Sequence, residues 1–426
     1  MDTLRPGSRG AYTEMLQLAL YRAGYLDEEP DGIFGPETER AVRSFQRASG
    51  ISADGVAGPV TWRALRPFLT GYMRHTVRPR DTFYRLAAGY GSSVGAIAAA
   101  NPAQDPLSLR IGSRLVIPLG FPVVPDNVSF TYELLSLCAE GLGARYPFLR
   151  VSSAGSSTAG KKLWLFSLGS GEGKVFYNAA HHANEWITSP LLMVFLETAC
   201  RALAFGERLG NERAADIFSK CTLFLMPMVN PDGVDLVTGA TSSGRFYSLA
   251  RSIAADYPDI PFPSGWKANI AGTDLNLNYP ANWELAKEIK YAAGFVSPAP
   301  RDYVGSAPLS APESRAVYDL TRRNDFDLTL SYHTQGKTIY WKYLDFDPPR
   351  SLELAQAFSA ASGYAVAETP YASGFAGYKD WFIQDYNRPG YTIEAGSGEN
   401  PLPISQFGEI YADNFGILLT GLTYLF

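Results

Sequence analysis

The chain has 426 residues, which at roughly 100–200 residues per domain points to two to four domains. Hydrophobic residues make up 46% and charged residues 19%, which excludes disorder over most of the chain. With 37 basic residues against 42 acidic ones and a formal net charge of −5, the balance argues against a dedicated nucleic-acid binder, which carries a basic excess.

The N-terminus shows no basic-then-apolar leader pattern over residues 1–15. Apolar periodicity first predicts a helix over 11–23, with Leu16, Leu20 and Ala23 on one face. An internal repeat follows. Asp31-Gly32-Ile33-Phe34-Gly35-Pro36-Glu37-Thr38 returns as Asp54-Gly55-Val56-Ala57-Gly58-Pro59-Val60-Thr61. Each Asp-Gly reads as a turn, and each Gly-Pro as a chain entering a helix with Pro in its first turn. Helices are expected over 38–48 and 61–69, so residues 1–70 form a small three-helix domain. This segment resembles the peptidoglycan-binding domain of cell-wall hydrolases, on Leu4–Gly10, Leu16-Gln17, Gly24-Tyr25, Phe45-Gln46 and the two repeats. The resemblance implies a glycan-polymer partner and turn residues that serve the fold.

Residues 72–119 read as strand, helix, helix, strand: a short strand at 75–77, helices over 82–90 and 93–100, and a closing strand at 115–118. That order resembles the LysM module, carried by Thr76-Val77, Asp81-Thr82, Tyr90-Gly91, Ala100-Asn101-Pro102 and Leu109–Leu115. The resemblance implies binding of N-acetylglucosamine polymers. His75 is expected to be structural. Residues 121–125 read as a Pro-rich linker.

From 121 to 426 remain about 300 residues, enough for one sizeable core. Buried strands are expected at 163–168, 175–179, 222–226, 328–332 and 391–393, and helices over 132–145, 189–205, 311–324, 351–362 and 407–425. The alternation argues for an α/β domain with helices on both faces of a parallel or mixed sheet, whose ligands sit beyond the carboxyl ends of strands. Apolar runs such as 191–196 and 224–229 are far shorter than the ~20 residues of a membrane span. Cys138, Cys200 and Cys221 lie scattered in apolar stretches and read as buried thiols.

Only four histidines exist: His75, His181, His182 and His333. His182 and Glu185 follow the strand 175–179 and share one side of a helical turn, so imidazole and carboxylate can meet one cation. Two His and one Glu suit zinc and leave a position for water. His333, at the end of the strand 328–332, is the distant candidate for the third ligand.

Here the chain resembles the zinc metallocarboxypeptidase family. The motifs are His182-x-x-Glu185-Trp186-Ile187-Thr188, Asn230-Pro231-Asp232-Gly233, Gly272-Thr273-Asp274-Leu275-Asn276-Leu277-Asn278, Ser331-Tyr332-His333 and Tyr391-Thr392-Ile393-Glu394, in family order. The resemblance implies one zinc held by His182, Glu185 and His333, with Asp274 bracing His182. It implies that Glu394 takes a proton from the zinc-bound water and passes it to the leaving amine. Lys267 follows Trp266 where the family has its oxyanion-stabilising arginine, and Arg245 competes for that role. Tyr371 matches the mobile tyrosine that closes over substrate and is preferred to Tyr378. His181 is out of register with the ligands and is expected to be structural.

Two departures bear on substrate. Asn276 is present, but Leu277 stands where the family's exopeptidases carry a carboxylate-clamping arginine, and a neutral side chain cannot read a C-terminus by a charge-assisted fork. Lys379 lies at the position matching the pocket for the residue after the cut and favours an acidic side chain there. Together with the N-terminal modules, this pattern resembles γ-D-glutamyl-L-diamino acid endopeptidases. The resemblance implies a stem peptide of peptidoglycan at the active site and a cell-wall or sporulation setting. A wall-tethered conventional metallocarboxypeptidase and a non-catalytic wall-binding protein are the alternatives.

Overall fold

In the computed structural model, which describes residues 3–424, the N-terminal repeat is organised by two buried glutamines. The helices run over Ala11–Arg22, Pro36–Ala48 and Pro59–Thr70, the latter two with Pro at their first position as expected. Gln17 Nε2 donates to Asp31 Oδ1 at 2.7 Å and lies 3.1 Å from Ile33 O and Thr38 Oγ1, while its Oε1 accepts from the backbone of Asp31 and Gly32. Gln46 repeats the pattern on Asp54, Val56, Thr61 and the Gly55 N–H. Gly32 and Gly55 have φ of +70° and +73°, which is why each turn needs glycine. Each Asp-Gly turn is thus read by a glutamine of the preceding helix. Gln46→Ala leaves buried turn groups unpaired and is expected to destabilise this part by about 2–3 kcal/mol in denaturant unfolding, well beyond an exposed Gln→Ala change.

The second small fold pairs β1 (Tyr72–Thr76) with β2 (Arg114–Pro118) antiparallel, His75 opposite Leu115. Its helices, Phe83–Tyr90 and Val94–Ala100, are capped by the hydroxyls of Thr82 and Ser93. Val77, Leu86, Ile97 and Ile117 form its core. His75 bonds Tyr90 Oη through Nδ1 (2.9 Å) and Asp81 Oδ2 through Nε2 (2.7 Å), a structural role as expected.

Packing divides the chain after Arg150 rather than at residue 121: one compact unit comprises 1–150 with 197–207, the other 151–196 with 208–426. The segment 121–125 is no free spacer. The buried Glu197 carboxylate accepts from Val123 N and Val124 N at 2.8 Å each, and Arg145, on the helix Tyr132–Arg145, donates to Gly71 O (2.9 Å) and Leu119 O (2.6 Å). Proline richness there coexists with order because the two flanked valine N–H groups have a buried acceptor.

The second unit is built on a mixed eight-stranded sheet. Its strands are β3 (Arg150–Ser156), β4 (Lys162–Leu168), β5 (Gly173–Ala179), β6 (Cys221–Met226), β7 (Leu328–His333), β8 (Thr338–Tyr340), β9 (Ala365–Ala367) and β10 (Gly390–Glu394). The order is β9-β8-β10-β7-β5-β6-β4-β3. The four central strands, β10, β7, β5 and β6, are mutually parallel, while β8 and β4 run against them. Adjacent strand residues face opposite ways. Phe176 meets Tyr378 of the helix Tyr378–Tyr386, whereas Tyr177 donates to Leu418 O of the helix Phe407–Thr423. Helices therefore cover both faces. Met1, Asp2 and Leu425, within the expected ranges 1–70 and 407–425, and Phe426, within 121–426, lie outside the described residues. All three cysteines are free and buried. Among the described residues, Thr188–Phe205 is the helix long and apolar enough to cross a membrane by length and composition. With 67% of it buried in the fold, it has the burial of a core helix.

Candidate metal centre and active site

The parallel register brings the chemistry together. His333 ends β7 directly opposite Glu394, which ends β10, and Ala179 of β5 pairs with Tyr332. Beyond β5 the chain turns at Ala180, and His182 caps a single 3₁₀ turn, Ala183–Glu185. Thr188 Oγ1 accepts from Ala180 N (3.1 Å) and donates to Glu185 O (2.7 Å), closing that loop.

The Asn230-Pro231-Asp232-Gly233 turn supports it from behind. Asn230 Nδ2 donates to His181 O (3.1 Å) and Ala268 O (2.9 Å). A Cβ on Gly233 would stand 2.7 Å from the Ala183 methyl and 2.8 Å from Ala268 O, so only glycine permits the approach.

His182 Nδ1 and His333 Nδ1 face each other at 3.2 Å, and the Glu185 carboxylate lies 2.9 Å from each through separate oxygens. One donor atom from each residue falls within 4.8 Å of the others, so the group could hold one metal ion. Two imidazoles and a carboxylate fit zinc and leave a position open. His182 Nε2 contacts Asp274 Oδ1 at 3.1 Å, so its other nitrogen is the one turned to the metal position. Asp274 Oδ2 accepts from Asp302 N at 3.1 Å.

The electrostatics fit a cation. Burial opposes charge on His182, yet the Glu185 and Asp274 carboxylates push its pKa up to about 9. Burial likewise opposes ionisation of Glu185 and Asp274, and the neighbouring His182 and Lys267 charges hold both well below the usual carboxylate range. Burial, then the Glu185 charge, pushes Glu394 up to about 8.

His182, His333 and Glu394 open on a cleft of about 210 Å³ that also exposes Lys267, Asp274, Asn276, Leu277 and Lys379. Lys267 Nζ lies 3.0 Å from Glu185 Oε1, and Ala183 N donates to Lys267 O, which ties its segment to the ligand turn. Asn276 Oδ1 accepts from Tyr378 N. Lys379 lines the cleft but is buried, with Nζ 2.5 Å from Asp380 Oδ1 and 2.8 Å from Lys342 O. Its charge therefore comes already paired rather than free for a lone carboxylate. Tyr371 sits in a 3₁₀ turn, 68% exposed and edge-on to Phe375, while Tyr378 is buried in the core. His181 is fully buried, bonded to Tyr279 Oη and stacked on Tyr378, a structural position as expected.

Arg245 is the correction. It is exposed at the start of the helix Gly244–Ala255, with its guanidinium over the Phe246 ring, and does not line the cleft. Phe246 itself packs on the cluster around Trp266. The cleft cations that sequence reasoning missed are Lys290 and Arg301. Arg301 lies between Pro300 and Asp302 in a loop that carries no recognised motif.

Residues 9–65 match a putative peptidoglycan binding domain, 75–118 a LysM domain and 138–416 the zinc carboxypeptidase family. The chain is 41% identical over 304 residues to Gamma-D-glutamyl-L-diamino acid endopeptidase 1 of Lysinibacillus sphaericus, covering 71% of this chain and 75% of that protein. Its fold is similar to bovine thrombin-activatable fibrinolysis inhibitor (TM-score 0.53, 18% identity, 70% of this chain and 97% of that one). It is also similar to carboxypeptidase A of Helicoverpa armigera (TM-score 0.53, 18% identity, 91% and 87%). With residues 138–416 matched, well over half of its length, the chain belongs to the zinc carboxypeptidase family and is a zinc metallopeptidase.

Proposed function

We propose that the protein hydrolyses the γ-D-glutamyl–L-diamino acid bond of peptidoglycan stem peptides. The carrying observation is that Leu277 lines the cleft beside the metal centre. A cleft with a neutral side chain where a substrate C-terminus would be clamped accepts an internal bond. The identity to an endopeptidase of that name and the two N-terminal matches support the reading.

In this reading His182, Glu185 and His333 hold zinc. Zinc bound there supplies Lewis acidity and lowers the pKa of a coordinated water. Asp274 accepts the Nε2–H of His182 and so fixes the tautomer that leaves Nδ1 free. Glu394 takes the proton of the attacking water and delivers it to the leaving nitrogen, so the carboxylate is regenerated as the amide bond breaks. The Lys267 ammonium stands beside Glu185 to donate to the developing oxyanion. Tyr371, exposed in a turn whose neighbours Pro370 and Ser373 line the cleft, closes over bound substrate, and Asn276 lines the approach. The Lys379–Asp380 pair takes the far end of the diamino acid. In meso-diaminopimelate that end is a zwitterion, which an ammonium–carboxylate pair complements at both charges.

The modules raise the effective concentration of enzyme on the insoluble wall without altering the centre. Excess soluble N-acetylglucosamine oligomer is therefore expected to slow digestion of sacculi by the full chain and to leave cleavage of a soluble stem peptide unchanged. Equal inhibition of both would remove the tethering role. The bond itself is tested by digesting stem peptides and weighing the fragments. Release of an alanyl-glutamyl fragment with a free diaminopimelate amine is the expected result. Loss of C-terminal residues alone would establish a conventional carboxypeptidase instead.

A further inference from the structure

Two charged poles line the cleft together with the metal ligands His182 and His333. A chain of hydrogen bonds orders them. Tyr378 N, next to Lys379, donates to Asn276 Oδ1; Asn276 N donates to Asp274 Oδ1; Asp302 N donates to Asp274 Oδ2. Asp274, which braces His182, stands in the middle of that chain, with Lys379 at one end and Arg301-Asp302 at the other. Arg301 is held from a second direction, because the carbonyl of its neighbour Pro300 accepts from both Lys267 N (2.8 Å) and Ala268 N (2.9 Å).

The poles differ in charge. At the first, Lys379 is matched by Asp380. At the second, one carboxylate serves two cations: Asp302 Oδ1 lies 2.6 Å from Lys290 Nζ, and Asp302 Oδ2 lies 2.6 Å from Arg301 Nε. One positive charge is left over. Arg301 spends only Nε on Asp302, and its two terminal nitrogens have no hydrogen-bond partner among the described residues. The side chain is 44% exposed and lines the cleft. A guanidinium oriented through Nε, with its terminal edge open, presents a pair of parallel donors, the geometry that grips a carboxylate.

We propose that Arg301, oriented by Asp302 and Lys290, is a specificity-determining residue that reads a free carboxylate on the substrate residue before the cut. The inference rests on the functional reading above, which assigns the Lys379 end of the cleft to the residue after the cut. The opposite end then receives the acyl side. A glutamyl residue joined through its γ-carboxyl carries its free α-carboxylate there. An α-linked residue other than glutamate carries none at that distance from the bond, and an α-linked glutamate differs in bearing its amide nitrogen beside the scissile carbonyl rather than beside the free carboxylate.

The test crosses enzyme and substrate changes. Wild type, Arg301→Gln and Arg301→Lys are assayed on two soluble stem peptides that differ only in the glutamyl α-carboxyl, free or amidated, and zinc content is measured in parallel. Arg301→Gln should lower kcat/KM about 10- to 100-fold on the free acid. It should have little effect on the amide, so that discrimination disappears. Arg301→Lys should retain part of the preference, because it keeps the charge but loses the fork. Zinc content should match wild type in all three. Equal losses on both substrates, or no loss on the free acid, would overturn the proposal while leaving the γ-glutamyl reading intact. If wild type cleaves neither peptide, that reading fails and carries the proposal down with it.

Discussion

Alanine at His333 is expected to remove bound zinc and turnover together, and alanine at His182 or Glu185 should do the same. The three donors converge within 4.8 Å, and a site with only three protein ligands has none to spare. Losing the hydrogen-bond partner of a ligand typically weakens metal binding about 10–100-fold, which sets the expectation for Asp274→Ala, and losing a ligand itself should exceed that. Metal analysis after dialysis, alongside activity, checks the order of effects. A His333→Ala protein with full occupancy and normal turnover would dismiss the centre. Without metal, His182 keeps a proton up to about pH 9. Zinc must displace that proton, so apparent affinity should weaken as pH falls from 9 towards 6.

Glu394→Gln is expected to keep zinc and lose about 10²–10⁴-fold in kcat, since the amide preserves shape but cannot accept a proton. Activity within twofold of wild type would move the base elsewhere. The same substitution has a signature in the metal-free protein. There the Glu394 carboxyl, which ionises near 4.5 when unperturbed, is pushed up to about 8. Between those values the folded state holds a proton that the unfolded state has lost, so stability falls as pH rises through the window. Metal-free Glu394→Gln should therefore melt above metal-free wild type at pH 8 and alongside it at pH 4. An unchanged difference across that range would contradict the half-buried, carboxylate-facing placement.

Much of the site was legible because its residues sit at strand ends and in short motifs. His182 and Glu185 are three residues apart, and their reach follows from one turn of backbone. His333 and Glu394 each end a run of apolar residues, and in an open α/β sheet those ends gather at one edge. The helices Tyr132–Arg145 and Ser351–Ser362 fell where periodicity placed them. The short strands Thr338–Tyr340 and Ala365–Ala367 escaped, as three residues carry too little alternation to stand out.

What the sequence by itself determined was the local chemistry: the repeat of Asp-Gly and Gly-Pro turns, the metal-ligand spacing, the order of motifs, and the loss of a charge at Leu277. The tertiary structure alone decided which charges meet. Lys379 looked free until burial brought Asp380 and the Lys342 carbonyl against it. Arg245 looked like a partner of the centre until the Phe246 contact set it outside the cleft. Arg301 and Lys290 drew no reading from the sequence, and only the fold sets Asp302 between them, with its backbone N–H on Asp274. Spacing along the chain governs contacts made within a turn or a strand. Pairing of charges tens of residues apart depends on loop paths and desolvation, and those are settled only when the core has formed.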